Sequence, residues 1–305
     1  LLAGRPGLEP DQPAFVFINL MGVHVPYDPP AWARRRFLAA DLGRRPARAA
    51  LQQANRWQVE PGNWLEMALD PAEVRPLLDA CYDAETAAQD RHVGHFLECL
   101  RDTGRLDRTL VVVTADHGDH LGDQGRINHV FGIHQSLTHV PLLIAGPEVA
   151  PSPSLGEPVS TRRIYHTILA AAVAAEPAEA ELSLLGGRQE AELFSEAYPL
   201  RWGLERLERC RPGLTGRLGH DRPLRAIHVG GRKLTGRPEA YAFYDLAQDP
   251  AESRDLAQER PAEAAELASR LERFVAEIRP LAGEARPLPD DPAVLRRLRV
   301  LGYVE

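Results

Sequence analysis

Two short apolar runs, Leu110–Val113 and Val140–Ile144, frame the most constraining stretch of this sequence. Each run is typical of a buried strand, because it is short, rich in branched residues and followed by turn residues. The segment between them exceeds the roughly 12–15 residues of an ordinary connecting loop, which favours a functional loop. It begins with Asp116 and contains five histidines: His117, His120, His129, His134 and His139.

Another histidine follows a different apolar run. Ala14–Leu20 reads as a buried strand, and the prolines after it force extended or turn geometry, which places His24 at the exit of that strand. Ligands of parallel α/β sheets bind just beyond the carboxyl ends of the strands. If the two strands are parallel neighbours, His24 and His117 face one pocket.

A long helix precedes the first of the two framing strands. Apolar residues recur at three- and four-residue steps from Glu73 to Arg101. Asp70, Pro71 and Glu73 supply an N-cap, a first-turn proline and a capping-box glutamate, and Gly104 supplies the stop. Helix, short loop and strand form an α/β unit. For residues 1–185 the pattern therefore predicts an α/β/α sandwich around a largely parallel mixed sheet, incomplete at its N-terminus.

The later part of the chain has a different pattern. Leu224–His228 and Arg232–Leu234 flank a Gly-Gly turn and predict a hairpin, and Ala242–Leu246 predicts a further strand. Pro261–Ile278 has the spacing of an amphipathic helix, as has Thr161–Ala175 earlier in the chain. Residues 186–305 are therefore predicted to form a smaller α+β subdomain with a short antiparallel sheet. Leucines at helical spacing in the tail, residues 293–305, predict that it docks back on the body of the protein.

Composition narrows the classes of function. Basic residues number 36 and acidic residues 43, a net charge of −7, which argues against a nucleic-acid surface. No apolar run is long enough to span a membrane. Three cysteines provide no disulfide framework.

The residues alone leave each candidate open to two interpretations. Asp116-His117-Gly118 is either a turn after a strand, or half of a metal site whose other ligands lie elsewhere in the chain. His24 is either a structural histidine or part of the pocket that His117 faces, and His129 is either a solvated histidine or part of a functional loop. His120, His134 and His139 are interpreted as structural or supporting residues.

Several motifs, in one order along the chain, resemble those of the type I sulfatases, a family of the alkaline phosphatase superfamily. Residues 116–118, Leu-Gly at 121–122, His129 and the segment 139–144 resemble its Asp-His/Asn-Gly to Val-Pro-Leu-Ile pattern. Residues 17–27, Phe-Ile-Asn-Leu-Met-Gly-Val-His-Val-Pro-Tyr, resemble a segment that ends in His-x-Pro-Tyr. Similar matches occur at 82–90, at 243–256 and at 301–303.

The resemblance implies roles for four residues. Asp116 and His117 match two metal ligands, His24 matches a histidine that contacts the sulfate or leaving group, and His129 stands where the family usually has a substrate-binding lysine. The family's cation is Ca²⁺, whereas the imidazole of His117 suits Mn²⁺ or another transition metal better.

The resemblance also implies parts that this sequence does not contain. The family's formylglycine nucleophile and two further metal-binding aspartates precede the segment at 17–27. We therefore expect this chain to be a piece of a longer protein and to be inactive alone.

The function implied for the whole protein is metal-dependent hydrolysis of a small-molecule or carbohydrate sulfate ester. Two alternatives stay open: a phosphonate or phosphate ester hydrolase on the same scaffold, and a non-catalytic binding protein. The sequence specifies neither compartment nor oligomeric state.

Overall fold

The structure is a computed structural model and describes residues 13–38, 47–65, 70–147, 149–151, 156–172, 180–186, 190–278 and 292. The predicted tail at 293–305 lies outside these residues. The helices are α1 (Ala31–Phe37), α2 (Ala47–Val59), α3 (Pro71–Asp102), α4 (Gln135–Thr138), α5 (Arg163–Ala171), α6 (Arg201–Cys210), α7 (Leu214–Arg217) and α8 (Pro261–Glu277). Short 3₁₀ turns occupy Pro61–Asn63, Leu106–Arg108 and Asp123–Gly125.

The strands are β1 (Val111–Thr114), β2 (His120–Leu121), β3 (Ile127–Asn128), β4 (Leu142–Ala145), β5 (Leu193–Ala197), β6 (Leu224–Val229), β7 (Arg232–Arg237) and β8 (Ala240–Asp245). They form two pairs, β1–β4 and β2–β3, and a four-stranded sheet in the order β5-β6-β7-β8. The mixed α/β class is confirmed.

Helix α3 begins and ends where its capping residues predict. The Asp70 side chain accepts a hydrogen bond from the Ala72 amide at 2.9 Å. Gly104 takes a positive φ of 64° at the C-terminal end, and the Arg105 amide donates to the Leu100 carbonyl at 2.8 Å. The apolar stripe of α3 enters a core shared with α2 and with Tyr27, which comprises Ala54, Val74, Leu78, Cys81 and Ile127 among others.

Two expectations for the first half are not met in the residues that the structure describes. Residues 14–20 have no regular secondary structure and join no ladder there, and Phe15 and Phe17 are 72% and 79% exposed. The pair β1–β4 is antiparallel, with Val111 opposite Ala145, and so is every other ladder between described strands, so the largely parallel sheet does not appear. An apolar run indicates a strand, but the ladder also requires a neighbouring strand, which the run does not specify.

The predictions for the C-terminal elements are confirmed. Strands β6 and β7 form the hairpin and β8 continues the antiparallel sheet. Helix α8 covers one face of it, and Leu267 and Leu271 pack with Ile227, Leu234 and Phe243. Helix α5 begins two residues after the predicted start at Thr161 and ends at Ala171, and residues 173–175 of the prediction lie outside the described residues. The predicted domain boundary near residue 185 stays a prediction.

Cys81, Cys99 and Cys210 are all free. Within the described ranges, no helix is both long enough and apolar enough to span a membrane.

Candidate functional site

Three histidines that are distant in sequence lie side by side. The ring centroids of His117 and His129 are 4.4 Å apart with the rings stacked at 23°. His24 lies 4.8 Å from His129 and 6.3 Å from His117. The fold thus brings together the three histidines that the sequence singled out, with Asp116 beside them.

The loop after β1 orients the His117 ring through its own backbone. His117 Nδ1 lies 2.8 Å from the Gly118 carbonyl oxygen, an arrangement in which Nδ1–H donates, so that Nε2 is the nitrogen available to another partner. That Nε2 lies 4.0 Å from Asp116 Oδ1, which also accepts from the His117 amide at 3.1 Å. A carboxylate oxygen and a free imidazole nitrogen therefore stand next to each other at the end of β1.

The turn that carries His24 is anchored by Tyr27. The amide and carbonyl of Tyr27 bond Asn55 at 2.6 and 2.8 Å, and its buried hydroxyl donates to Asp119 Oδ2 at 3.3 Å. His24 Nδ1 lies 2.5 Å from the Val25 carbonyl oxygen, which leaves Nε2 for other partners. The anchored turn holds the His24 ring beside His129.

His129 is held by the residue before it. Asn128 has a positive φ of 72°, its Oδ1 accepts from the His129 amide at 2.7 Å, and its Nδ2 donates to the Gln58 carbonyl at 3.1 Å. Burial, with the nearby His117 and His24, lowers the pKa of His129 to about 3. In this arrangement its imidazole is neutral near pH 7, and it would meet an anion as a hydrogen-bond donor rather than as a charge.

Asp116 and His117 fit half of a cation site. Ligating histidines characteristically donate their second ring nitrogen to a carbonyl or carboxylate, as His117 does to Gly118. The Asp116 side chain is 82% exposed and so free to turn toward an ion. Among the described residues, no group of three or more histidine, cysteine or acidic side chains could hold a metal by itself.

A second pair of histidines supports the same loop. The rings of His120 and His134 meet edge to face at 5.0 Å, and His120 Nδ1 lies 2.9 Å from the Ser136 hydroxyl oxygen. Burial lowers the pKa of each to about 3. His139, by contrast, is exposed. The interpretation of His120 and His134 as supporting residues agrees with these contacts.

Sequence reasoning missed Asp119. Its side chain is 9% exposed and accepts from the Tyr27 hydroxyl, and burial raises its pKa to about 7. What distinguishes Asp119 from a surface aspartate is its contact with Tyr27, which lies 92 residues away in the sequence. No local sequence pattern indicates such a contact.

A model of the Sulfatase family matches residues 7–174, more than half of the chain. Arylsulfatase K of Danio rerio is 41% identical over 90 residues, which are 30% of this chain and 17% of that protein.

Two solved structures share the fold. A putative sulfatase from Bacteroides thetaiotaomicron VPI-5482 aligns with a TM-score of 0.53 and 22% identity over 66% of this chain and 43% of its own. A phosphonate monoester hydrolase from Silicibacter pomeroyi aligns with a TM-score of 0.55 and 25% identity over 75% of this chain and 46% of its own.

These alignments cover less than half of each relative's length. The family match nevertheless extends over β1, β4 and the segment between them, residues 115–141, which we call the histidine loop and which holds most of the site. This chain belongs to the sulfatase family.

Proposed function

We propose that the protein containing this chain hydrolyses sulfate esters at the site formed by His24, Asp116, His117 and His129, with one divalent cation. The observation that carries the proposal is the convergence of three histidines from separate parts of the chain beside a strand-end aspartate. Membership of the sulfatase family supports the same chemistry.

Asp116 and His117 would hold the cation. A bound cation polarises the ester and neutralises the charge on its oxygens. The hydrogen bond from Nδ1 to the Gly118 carbonyl keeps Nε2 of His117 directed away from the backbone. The resemblance suggests Ca²⁺, whereas an imidazole ligand suits Mn²⁺, Fe²⁺ or Zn²⁺.

His24 and His129 would act on the ester itself. A leaving oxygen that departs as an anion is stabilised when a positioned imidazolium gives it a proton. Because the Val25 carbonyl holds Nδ1–H of His24, the proton would come from Nε2 of the protonated ring, which becomes neutral when the proton is transferred. His129 would donate a hydrogen bond to the sulfate oxygens. The formylglycine nucleophile that the resemblance implies would be supplied by residues outside this chain.

Assays of the product of the complete gene on 4-nitrophenyl sulfate test the proposal. We expect H24A to lower kcat/KM by about 10²- to 10⁴-fold, the usual contribution of a positioned proton donor. We expect H129A to lower it by about 10²- to 10³-fold, the usual contribution of a hydrogen-bond donor to the developing charge. His139→Ala is the matched control, because this exposed histidine lies in the same loop. Unchanged turnover in H24A, or no turnover of any sulfate ester by the wild type, would contradict the proposal.

The cation has its own experiment. Mn²⁺ binding, followed by electron paramagnetic resonance, is expected to weaken at least 10-fold in D116N and in H117A and to be unchanged in H139A. Equal Mn²⁺ affinities in all of these variants would place the cation elsewhere.

A phosphonate monoester hydrolase is the second candidate. It is favoured by the 25% identity over 75% of this chain with the enzyme from Silicibacter pomeroyi. The ratio of kcat/KM values for aryl sulfate and aryl phosphonate monoesters decides between the two. A ratio above one supports the sulfatase, and a ratio below one the phosphonate hydrolase. No turnover of either ester would favour the non-catalytic binding protein.

A further inference from the structure

The chain contains a single lysine. Of its 36 basic residues 35 are arginines, and the remaining one is Lys233 on β7, whose side chain is 0% exposed. A compact ammonium with three donors fits an enclosed position that a planar guanidinium would overfill. The one basic residue that is a lysine rather than an arginine is thus also a fully buried cation.

Lys233 is paired with an equally buried carboxylate. Its Nζ lies 2.6 Å from Glu252 Oε1, and the Glu252 side chain is 1% exposed. Glu252 has a φ of 54°, which is uncommon for a residue other than glycine. Its side-chain contacts therefore maintain a backbone conformation that would otherwise be unfavourable.

Both members of the pair also bond the backbone of the histidine loop. Lys233 Nζ donates to the Ile133 carbonyl at 2.6 Å, and Glu252 Oε2 accepts from the Gln135 amide at 2.5 Å. Before His129 in the chain, the side chain of Gln124 donates to the Ala251 carbonyl at 2.5 Å. The C-terminal part of the chain thus holds the histidine loop on both sides of His129.

Residues 133–137 are connected to the His117 ring through the backbone of Gly118. The Gly118 amide donates to the Leu137 carbonyl at 2.8 Å, two residues beyond Gln135. Gly118 in turn provides the carbonyl that His117 Nδ1 bonds. A shift of residues 133–137 would therefore move the His117 ring relative to His129.

Stability alone does not account for this pair. A buried ion pair can usually be replaced by apolar residues of similar volume without loss of stability. Apolar residues would leave the Ile133 carbonyl and the Gln135 amide without the partners that place them. We propose that Lys233 and Glu252 are positioning residues, which hold residues 133–137 so that His117 and His129 keep their relative placement.

Hydrogen exchange of the 305-residue chain tests the positioning, whether or not the proposed function is right. The variants are K233M, E252Q and the double variant K233M/E252L, with R254A as the control because Arg254 forms an exposed pair with Glu259. The double variant is expected to fold with a Tm closer to that of the wild type than either single variant, since neither charge is left unpaired and only the Ile133 carbonyl and the Gln135 amide lose a partner. Its Gln135 amide is expected to exchange at least 10-fold faster than in the wild type and in R254A.

The single lysine provides a spectroscopic signature. Lysine labelled with ¹⁵N gives one side-chain ammonium signal, which we expect to shift in E252Q and to stay in place in R254A. The proposal would be overturned if, in the double variant, the Gln135 amide exchanged at the wild-type rate and the NMR chemical shifts of the histidine rings were unchanged. The double variant decides even if K233M fails to fold.

The catalytic consequence rests on the proposed function and is measured in the product of the complete gene. We expect K233M/E252L to lower kcat for an aryl sulfate at least 10-fold with little change in KM, because a small displacement of reacting groups is costly. Wild-type kcat combined with faster exchange would overturn this consequence. If the wild type hydrolyses no sulfate ester, the proposed function fails, and the exchange result still decides the positioning role.

Discussion

The two main sheet regions differ in how their faces are covered. In the sheet β5–β8, Ile227, Leu234 and Phe243 are fully buried beneath α8. In the pair β1–β4, Leu143 is 61% exposed, and a two-stranded sheet is at best marginally stable alone. The histidine loop leaves β1 and returns to β4, so it depends on contacts elsewhere, namely the Tyr27 anchor and the Lys233–Glu252 pair.

The largest loss of stability is expected from Phe243→Ala in the sheet β5–β8, and it is compared with Leu143→Ala in the pair β1–β4. Phe243→Ala is expected to cost about 3–5 kcal/mol, because it leaves a cavity in a closed core. Leu143→Ala is expected to change stability by no more than about 0.5 kcal/mol, since most of the side chain is already in water. Urea unfolding measures both values, and equal costs would break the comparison.

The N-terminal and C-terminal halves of the chain also differ in what compensates a buried glutamate, Glu85 on α3 and Glu252 after β8. Glu252 is paired with an ammonium, whereas Glu85, 4% exposed, accepts the Asp28 amide at 2.5 Å. Burial raises the pKa of Glu85 from 4.5 to about 7, although the Asp28 amide lowers it. The folded chain thus retains a proton that the unfolded chain loses above pH 4.5, so stability falls as pH rises from 4.5 to 7.

Replacing Glu85 should remove this pH dependence. At about 1.4 kcal/mol per pKa unit, E85Q is expected to be more stable than the wild type by up to about 3 kcal/mol above pH 7 and similar to it near pH 4.5. Glu98→Gln, on the exposed side of α3, is the control. Unfolding curves at both pH values measure the difference, and parallel profiles for E85Q and the wild type would contradict the assignment.

Gly118→Ala tests how tightly the histidine loop is packed. A Cβ there would lie 2.1 Å from the Ser136 carbonyl oxygen. The clash is expected to cost about 1–3 kcal/mol and to weaken Mn²⁺ binding by displacing His117. Gly216→Ala in the C-terminal half is the matched control, because nothing lies within 4 Å of its added Cβ. Wild-type stability and Mn²⁺ affinity in G118A would show that the loop is looser than the C-terminal half.

The smallest effect should be a gain in stability. Gly94 lies inside α3, and an added Cβ would meet nothing within 4 Å. Gly94→Ala is expected to stabilise the chain by about 0.5–1 kcal/mol, because glycine is a poor helix former. Thermal unfolding measures this gain. A loss would show that α3 is more closely packed than the structure indicates.

Local signals predicted the elements that depend on local interactions. The caps of α3, the hairpin β6–β7 and the helix α8 follow from residues within a few positions of each other. The prediction of a strand at Ala14–Leu20 was wrong for the described residues. A strand needs a neighbouring strand to form a ladder, and the segment itself does not encode that neighbour. The antiparallel direction of β4 against β1 was missed for the same reason.

The candidate site was predicted in part. Asp116, His117, His24 and His129 were singled out from strand ends and from the family resemblance, and the structure brings them together, although their roles stay a proposal. Asp119 and Lys233 were missed. A charged residue on a loop or strand normally faces solvent, so only the enclosed partners Tyr27 and Glu252 distinguish these two.

The sequence by itself determined the family, the helix ends and the residue types available for chemistry, because these depend on local composition and order. The tertiary structure decided which histidines meet and which charges are buried, because these depend on contacts between residues far apart in the chain. The sequence assigned His117 and His129 to the site and His120 and His134 to its support, and the tertiary structure decided the contacts: the first two lie beside His24, and the other two lie against each other.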